Sequence, residues 1–276
     1  MKRIATVMAG VAGLALVLTG CATPSGTATS APPAGDPSAA ATTEGANITT
    51  ITPGALTVCS DSPYEPFEFE DDSAEVGYSG YDIDLMGAIA ADLGLKLVVI
   101  DSDFDALQSG ILFASKQCDV GASALTITEE RKANLGFSDP YYNSQQSILI
   151  AKTSTIKGIE DLVAGTRVGV QAGTTGEIYT AKNAPDATSV AFPSDGEMWL
   201  ALQAGQVDAL LQDLPVNHQH EVADPNYVVV AQYDTEEEFG FAVAKESSAL
   251  LAAINSSLAK LKASGEYDKI FTKYFG

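Results

Sequence analysis

Few side chains in this chain are equipped for covalent or metal chemistry. His218 and His220 are its only histidines. A His-x-His pair with no matching cysteine nearby reads as a surface helix face and not as a metal site. Neither histidine lies beside a candidate nucleophile, so no Ser/His/Asp set can be argued. No glycine-rich loop has the form that cradles phosphate. Glu65 and Glu68 lie near enough to the loop after the first strand to be conceived as a general acid or base in a cleft. Beyond the N-terminal Arg3, the arginines are Arg131 and Arg167. The remaining reactive groups are three thiols, Cys21, Cys59 and Cys118. No residue pattern calls for a metal or another cofactor.

The chain has 276 residues, with 15 Lys and Arg against 36 Asp and Glu, a formal net charge of -21. It becomes more negative if Lys2 and Arg3 are removed with a leader. Nucleic-acid binding needs clustered basic residues, and none are clustered here. Hydrophobic residues make up 46%, enough for a folded core. Lys2-Arg3, an apolar run from Ile4 to Leu18 and then Leu18-Thr19-Gly20-Cys21 have the parts of an export signal. The run is too short for a comfortable transmembrane helix. Leu-Thr-Gly-Cys resembles the bacterial lipobox, which makes Cys21 the expected site of lipidation, with residues 1–20 as signal peptide. Two acyl chains hold stably to a bilayer where one is marginal. Residues 21–52 are dominated by Ala, Thr, Ser, Pro and Gly and read as a disordered tether. The folded part is therefore expected on the outer face of the cytoplasmic membrane, anchored through Cys21.

The elements that must position any site follow an α/β rhythm. Leu56–Ser60, Leu97–Ile100 and Asp119–Ser123 read as strands. Helical periods lie between them, over Asp82–Leu93 (closed by Gly94) and Asp105–Lys116. The rhythm then restarts, with strands at Arg167–Val170, Ser189–Phe192 and Ala209–Gln212 and helices at Glu177–Ala184 and Glu197–Ala204. Two such units suggest two lobes, each a mostly parallel sheet flanked by helices. Ser147–Ala151 and Tyr227–Gln232 are the strands expected near the crossings. A strand at Phe239–Ala244 and helices at Ser247–Ser264 and Glu266–Tyr274 should return to the first lobe. Lobe 1 is expected over 53–143 with 235–276, and lobe 2 over 144–234.

Several segments carry a resemblance to a known family. Gly80-Tyr81-Asp82-Ile83-Asp84-Leu85, with Ile89, Ala90 and Leu93, resembles the signature of extracellular solute-binding proteins of the polar amino acid type. These are the capture subunits of ABC importers. The segment from Ser60 through Tyr64 to Phe69 is similar to the family's first-strand loop. Ala124 to Arg131, followed by Phe137 to Tyr142, is similar to its lobe-one binding segment. Val168 to Glu177 resembles its lobe-two binding turn, and Ala204 to Asp213 the strand that carries its acidic ligand residue. The ending through Tyr274-Phe275-Gly276 fits as well. The likeness runs from about residue 54 to the C-terminus. It implies a two-lobe periplasmic-binding-protein type II (Venus flytrap) fold with two hinge crossings.

It also implies roles. Arg131 would clamp the carboxylate of an α-amino acid, because a guanidinium fork meets both oxygens. Thr126 would add a hydroxyl or backbone N–H, and Ala124 a backbone carbonyl for the ammonium. Thr174 and Thr175 open a helix whose free N–H groups suit an anion. Asp213 would accept from the ammonium. Tyr64 and Phe104 would sandwich the aliphatic part of the ligand. Asp61 would face the tip of its side chain, favouring basic amino acids and glutamine, with cystine behind them and acidic ligands disfavoured. The implied partners are the amino acid, the ABC permease and its ATPase, with the folded part monomeric. A cleft enzyme on the same scaffold, such as a dehydratase or lyase, is the competing reading, and a sensing subunit without transport is another. Outside the cytoplasm the pair Cys59 and Cys118 suggests a disulfide. Their expected strands are adjacent, but Cys118 lies low for the Cα separation of a relaxed bridge, so both states stay open.

Overall fold

The computed structural model describes residues 48–276. The expected export signal, the expected lipidation site Cys21 and nearly all of the expected tether lie outside the described residues. The first half opens with β1 (Ala55–Ser60), buried along its whole length because it runs through the middle of a sheet. A short hairpin follows, β2 (Phe69–Glu70) and β3 (Tyr78–Ser79), and then α1 (Tyr81–Asp92). Gly80 starts α1 at φ 135, and a Cβ there would collide with the Phe67 carbonyl oxygen, so only glycine fits. Next come β4 (Lys96–Asp101), α2 (Phe104–Gln108), α3 (Ile111–Ala114), β5 (Val120–Gly121), α4 (Glu129–Lys132) and β6 (Leu135–Phe137).

The second half is entered through β7 (Tyr142–Ala151). It continues with β8 (Arg167–Gln171), α5 (Thr175–Asn183), β9 (Thr188–Phe192), α6 (Asp195–Gln203), β10 (Ala209–Asp213) and α7 (Leu214–Ala223). The long β11 (Tyr227–Phe239) leads back to β12 (Ala242–Ala244), α8 (Ser248–Ser264) and α9 (Glu266–Phe275). The two main sheets have the orders β4-β1-β5-β12-β6 and β11-β7-β10-β8-β9. Within them β1 runs parallel to β4 and β5, and β8 runs parallel to β9 and β10. The fold is thus a two-lobe α/β architecture, crossed once by β7 and once by β11.

Each lobe has its own core. The first centres on Leu56, Val58, Leu85, Met86 and Ile89, and α8 and α9 close it with Leu250, Ile254, Leu258 and Ile270. Tyr81 and Phe275 pack edge-on at 5.1 Å, seating α9 beside α1. In the second lobe Ile148, Val168, Val170 and Leu211 cover one face of the sheet, and Leu149, Met198, Leu202 and Leu210 the other. Those two apolar layers are why its strands read as continuous hydrophobic runs.

Three expectations change. The helix expected over Asp105–Lys116 is two short helices, because Gly110 adopts φ 87 between them. The strand expected over Phe239–Ala244 is the end of β11, then Gly240 and Phe241, then β12. His218 is exposed on α7, but His220 is not simply on a surface face. Its ring stacks on Trp199 at 4.3 Å and its Nε2 lies 2.9 Å from Asp195. Among the described residues no group of three His, Cys, Asp or Glu is placed to hold a metal, and no helix is long and apolar enough to cross a membrane. Cys59 and Cys118 are paired as a disulfide with Cα atoms 5.7 Å apart. Cys59 faces Gly121 across the sheet, and Cys118 lies just before β5 on the same side.

Candidate ligand-binding cleft

The loops that leave the carboxyl ends of the parallel strands meet between the lobes, where open α/β sheets bind their ligands. Asp61 follows β1, Phe104 follows β4, Thr126 follows β5, Thr174 follows β8, and Asp213 ends β10. One small cavity is lined by all nine residues expected at the site, namely Asp61, Tyr64, Phe104, Ala124, Thr126, Arg131, Thr174, Thr175 and Asp213. Ser123 and Gln171 complete the lining. The lobes approach so closely that about 10 Å³ of water-accessible space remains, room for about one water molecule. An amino acid can enter only if the lobes part.

Arg131 is held by α4, whose N-cap Thr128 accepts from the Arg131 N–H. Its side chain is turned inward and only 5% exposed. Nη1 donates to the Thr126 carbonyl (2.8 Å) and Nη2 to the Gly173 carbonyl of the other lobe (3.0 Å). A guanidinium carries five N–H donors, so three stay available. Phe104 lies beneath the guanidinium, with Cζ 5.3 Å from the ring centroid. Phe104 therefore supports the Arg131 side chain as well as walling the cavity. Burial lowers the Arg131 pKa to about 10, which keeps it charged at neutral pH.

Asp213 is the acidic counterpart and is 7% exposed. Its Oδ2 accepts from the Tyr64 hydroxyl (2.5 Å), and its Oδ1 from Ser144 (3.2 Å) and Gln146 (3.1 Å). Tyr64 is thus more than an aromatic wall, since its hydroxyl joins the two lobes. Burial, then the charge of Glu237, push the Asp213 carboxyl up to about 7. Asp61 is also pushed to about 7, chiefly by burial, although it accepts from Gln171 Nε2 across the cleft (2.5 Å). Thr174 caps α5, its hydroxyl accepting from Glu177 N (3.2 Å) and donating to the Gln171 carbonyl (2.7 Å). Ala124 sits at φ 44, an uncommon conformation for alanine, with its N–H held by Asp82 (2.9 Å).

Sequence reasoning missed Ser123, Gln171, Gln146 and Glu237. Glu237 lies behind the cavity. Its Oε2 accepts from Thr126 (2.9 Å) and Thr175 (2.7 Å), and Gln146 donates to its Oε1 (3.0 Å). Glu65 is exposed. Glu68 is buried behind Ser123, whose hydroxyl it holds at 2.5 Å, and burial drives its pKa upward. Neither glutamate lines the cavity, so the general acid or base conceived for a cleft enzyme is not placed there.

Comparison with known proteins bears on this geometry. The profile of bacterial extracellular solute-binding proteins, family 3, matches residues 56–276. The ABC transporter glutamine-binding protein GlnH of Bacillus subtilis (strain 168) is 36% identical over 202 residues, covering 71% of this chain and 72% of that protein. The ABC transporter arginine-binding protein 1 of Escherichia coli (strain K12) is 30% identical over 217 residues, 77% and 87% of the two chains. Among solved structures, an ancestral arginine-binding protein bound to arginine superposes with a TM-score of 0.75 at 38% identity, covering 81% of this chain and 99% of that one. These relatives are named as binding proteins, not as enzymes. The chain belongs to the bacterial extracellular solute-binding proteins, family 3, and is a binding protein rather than an enzyme.

Proposed function

We propose that this protein captures a polar L-α-amino acid between its lobes and delivers it to the permease and ATPase of an ABC importer. The observation that carries the reading is one cavity lined by a buried arginine from one lobe and a buried aspartate from the other. A zwitterion needs a partner for each charge, because burial without one costs several kcal/mol. Arg131 takes the carboxylate and Asp213 the ammonium. Thr126, the start of α5 at Thr174 and Thr175, and the Ala124 carbonyl complete the set, and Tyr64 and Phe104 enclose the aliphatic carbons. Asp61 meets the end of the ligand's side chain, which favours arginine, lysine, ornithine, histidine or glutamine over aspartate or glutamate. Relatives named for glutamine and arginine binding support that ranking.

Lobe 1 comprises 53–143 and 235–276, and lobe 2 comprises 144–234. Ligand touches both only when they close, so its differential affinity drives closure, and the closed form is what the permease recognises. The monomeric domain is held at the outer face of the membrane by lipid on Cys21 after removal of residues 1–20. A thermal-shift screen of the twenty amino acids, with cystine and ornithine, tests the reading. One basic amino acid or glutamine should raise the melting temperature in proportion to the logarithm of its concentration. A flat screen, or a response confined to glutamate and aspartate, would refute it.

A further inference from the structure

We propose that Glu237 is a positioning residue that fixes the polarity of the two threonine hydroxyls in the cleft, turning both toward the ligand as hydrogen-bond acceptors. A threonine hydroxyl has one hydrogen to donate and two lone pairs to accept with. Thr126 Oγ1 donates its hydrogen to Glu237 Oε2 (2.9 Å), and Thr175 Oγ1 donates to the same oxygen (2.7 Å). The two threonines belong to opposite sides of the cleft and both line the cavity. With their hydrogens committed to the rear, their oxygens can only accept from what enters in front.

Glu237 itself has no capacity left for the ligand. Its Oε1 accepts from Gln146 Nε2 (3.0 Å) and Thr235 Oγ1 (2.8 Å), so its two oxygens already hold four donors. Glu237 is 8% exposed and is absent from the cavity lining. It acts through Thr126 and Thr175. Gln146 extends the arrangement by also donating to Asp213 Oδ1 (3.1 Å).

The consequence is a division of labour that the residue types alone do not reveal. A carboxylate cannot be served by either hydroxyl, so it must rely on Arg131 and on backbone N–H groups. The hydroxyls join Asp213 in a set of acceptors suited to an ammonium, and the Glu237 charge strengthens that preference from behind. Discrimination for an α-ammonium over its absence should therefore depend on a residue that never touches the ligand.

This inference rests on the amino-acid reading above, and the experiment separates the two. Wild type and Glu237→Gln are titrated calorimetrically with L-arginine and its deamino analogue 5-guanidinopentanoate. L-glutamine and its deamino analogue glutaramate are titrated in parallel. The amide introduced by the substitution carries a donor where a carboxylate oxygen stood, so it cannot receive all four hydrogens. Binding of the parent amino acid should weaken by about tenfold. Binding of the deamino analogue should be unchanged or stronger, so the ratio between them narrows by about tenfold. An equal change for both ligands would reduce Glu237 to a structural role, and no change in either would dismiss it. If the thermal-shift screen selects lysine, ornithine or histidine instead, that amino acid and its deamino analogue take their place. If wild type responds to no amino acid, the amino-acid reading fails and this inference falls with it. A second measurement needs no variant. Proton NMR of the labelled wild type should show slowly exchanging hydroxyl protons on Thr126 and Thr175, both close to the Glu237 γ-protons. Rapid exchange of either would overturn the proposal.

Discussion

A buried carboxyl whose pKa is raised to near neutrality responds to pH in opposite ways before and after it meets a cation. Asp61 and Asp213 are both raised to about 7, chiefly by burial. In the unfolded chain each would lose its proton near the ordinary value of about 4. Between about pH 4 and 7 the folded state therefore binds more protons, and stability falls as pH rises. The contribution is complete below the unfolded value and lost on passing through the folded one. The ligand-free melting temperature should accordingly drop between about pH 5 and pH 8. A rise over that interval would contradict the assignment. Ammonium capture by Asp213 requires the ionised form, so binding near pH 6.5 should release protons. Calorimetry in buffers of different ionisation enthalpy would measure the release, and Asp213→Asn should reduce it while weakening binding by at least about tenfold. Net proton uptake by wild type would argue against Asp213 as the ammonium partner.

At this scale the charged residues of the cleft were legible from type and order, whereas Glu237 was not. It is the middle of Glu236-Glu237-Glu238, which on its own reads as a solvated run. Only the bulge in β11, where the register slips between Tyr233 and Glu237 and Glu236 adopts φ 53, turns the middle carboxylate inward. Gln171 escaped notice for a different reason. It ends a strand, and its partner Asp61 is 110 residues away in the other lobe.

Strands and helices matter here through where they stop. The lobe-one strands deliver their loops to one edge, and the break at Gly110 lets α2 end early while Phe104 stays under Arg131. Across the cleft the critical turn is at Gly173, which lies between β8 and α5 with φ 74. A Cβ there would come within 2.8 Å of Asp105 Oδ1 on α2. The carbonyl of the same residue accepts from Arg131. Gly173→Ala should therefore cost about 1–2 kcal/mol from the left-handed backbone alone. It should also weaken ligand binding, because the lobes can no longer approach as closely. Unchanged affinity with an unchanged melting temperature would show that the turn is not held to this geometry.

The bridge between Cys59 and Cys118 ties β1 to the approach of β5, directly beneath the Asp61 and Ser123 loops. Thiol titration of the unfolded, unreduced domain should find neither cysteine free. Reduction should lower stability by about 2–4 kcal/mol. Two titratable thiols before reduction would contradict the pairing. The sequence placed these cysteines on neighbouring strands, but it could not supply the Cα separation, which depends on how the chain enters β5. The long strands β7 and β11 were read too short for a related reason. Their outer ends, Tyr142–Gln146 and Tyr233–Phe239, are rich in polar residues that pair across the crossings instead of facing a core.

Seen whole, the protein is two cores joined by two strands, with its informative charges gathered where the cores meet. The formal charge of -21 bears on solubility and gives little information about ligand. Tyr64 to Asp213, Gln171 to Asp61 and Arg131 to Gly173 are hydrogen bonds that span the cleft directly, and Thr175 and Gln146 reach Glu237 behind it. Parting the lobes must break the bonds that span the cleft directly. The central claim is that one zwitterion is held between Arg131 and Asp213. Its most direct test is calorimetric titration of wild type and Arg131→Ala with the amino acid that gives the largest thermal shift. The account predicts saturable one-to-one binding by wild type and a loss of about 100-fold or more in the variant, with its circular dichroism spectrum unchanged. Tight binding retained by a folded Arg131→Ala protein would contradict it.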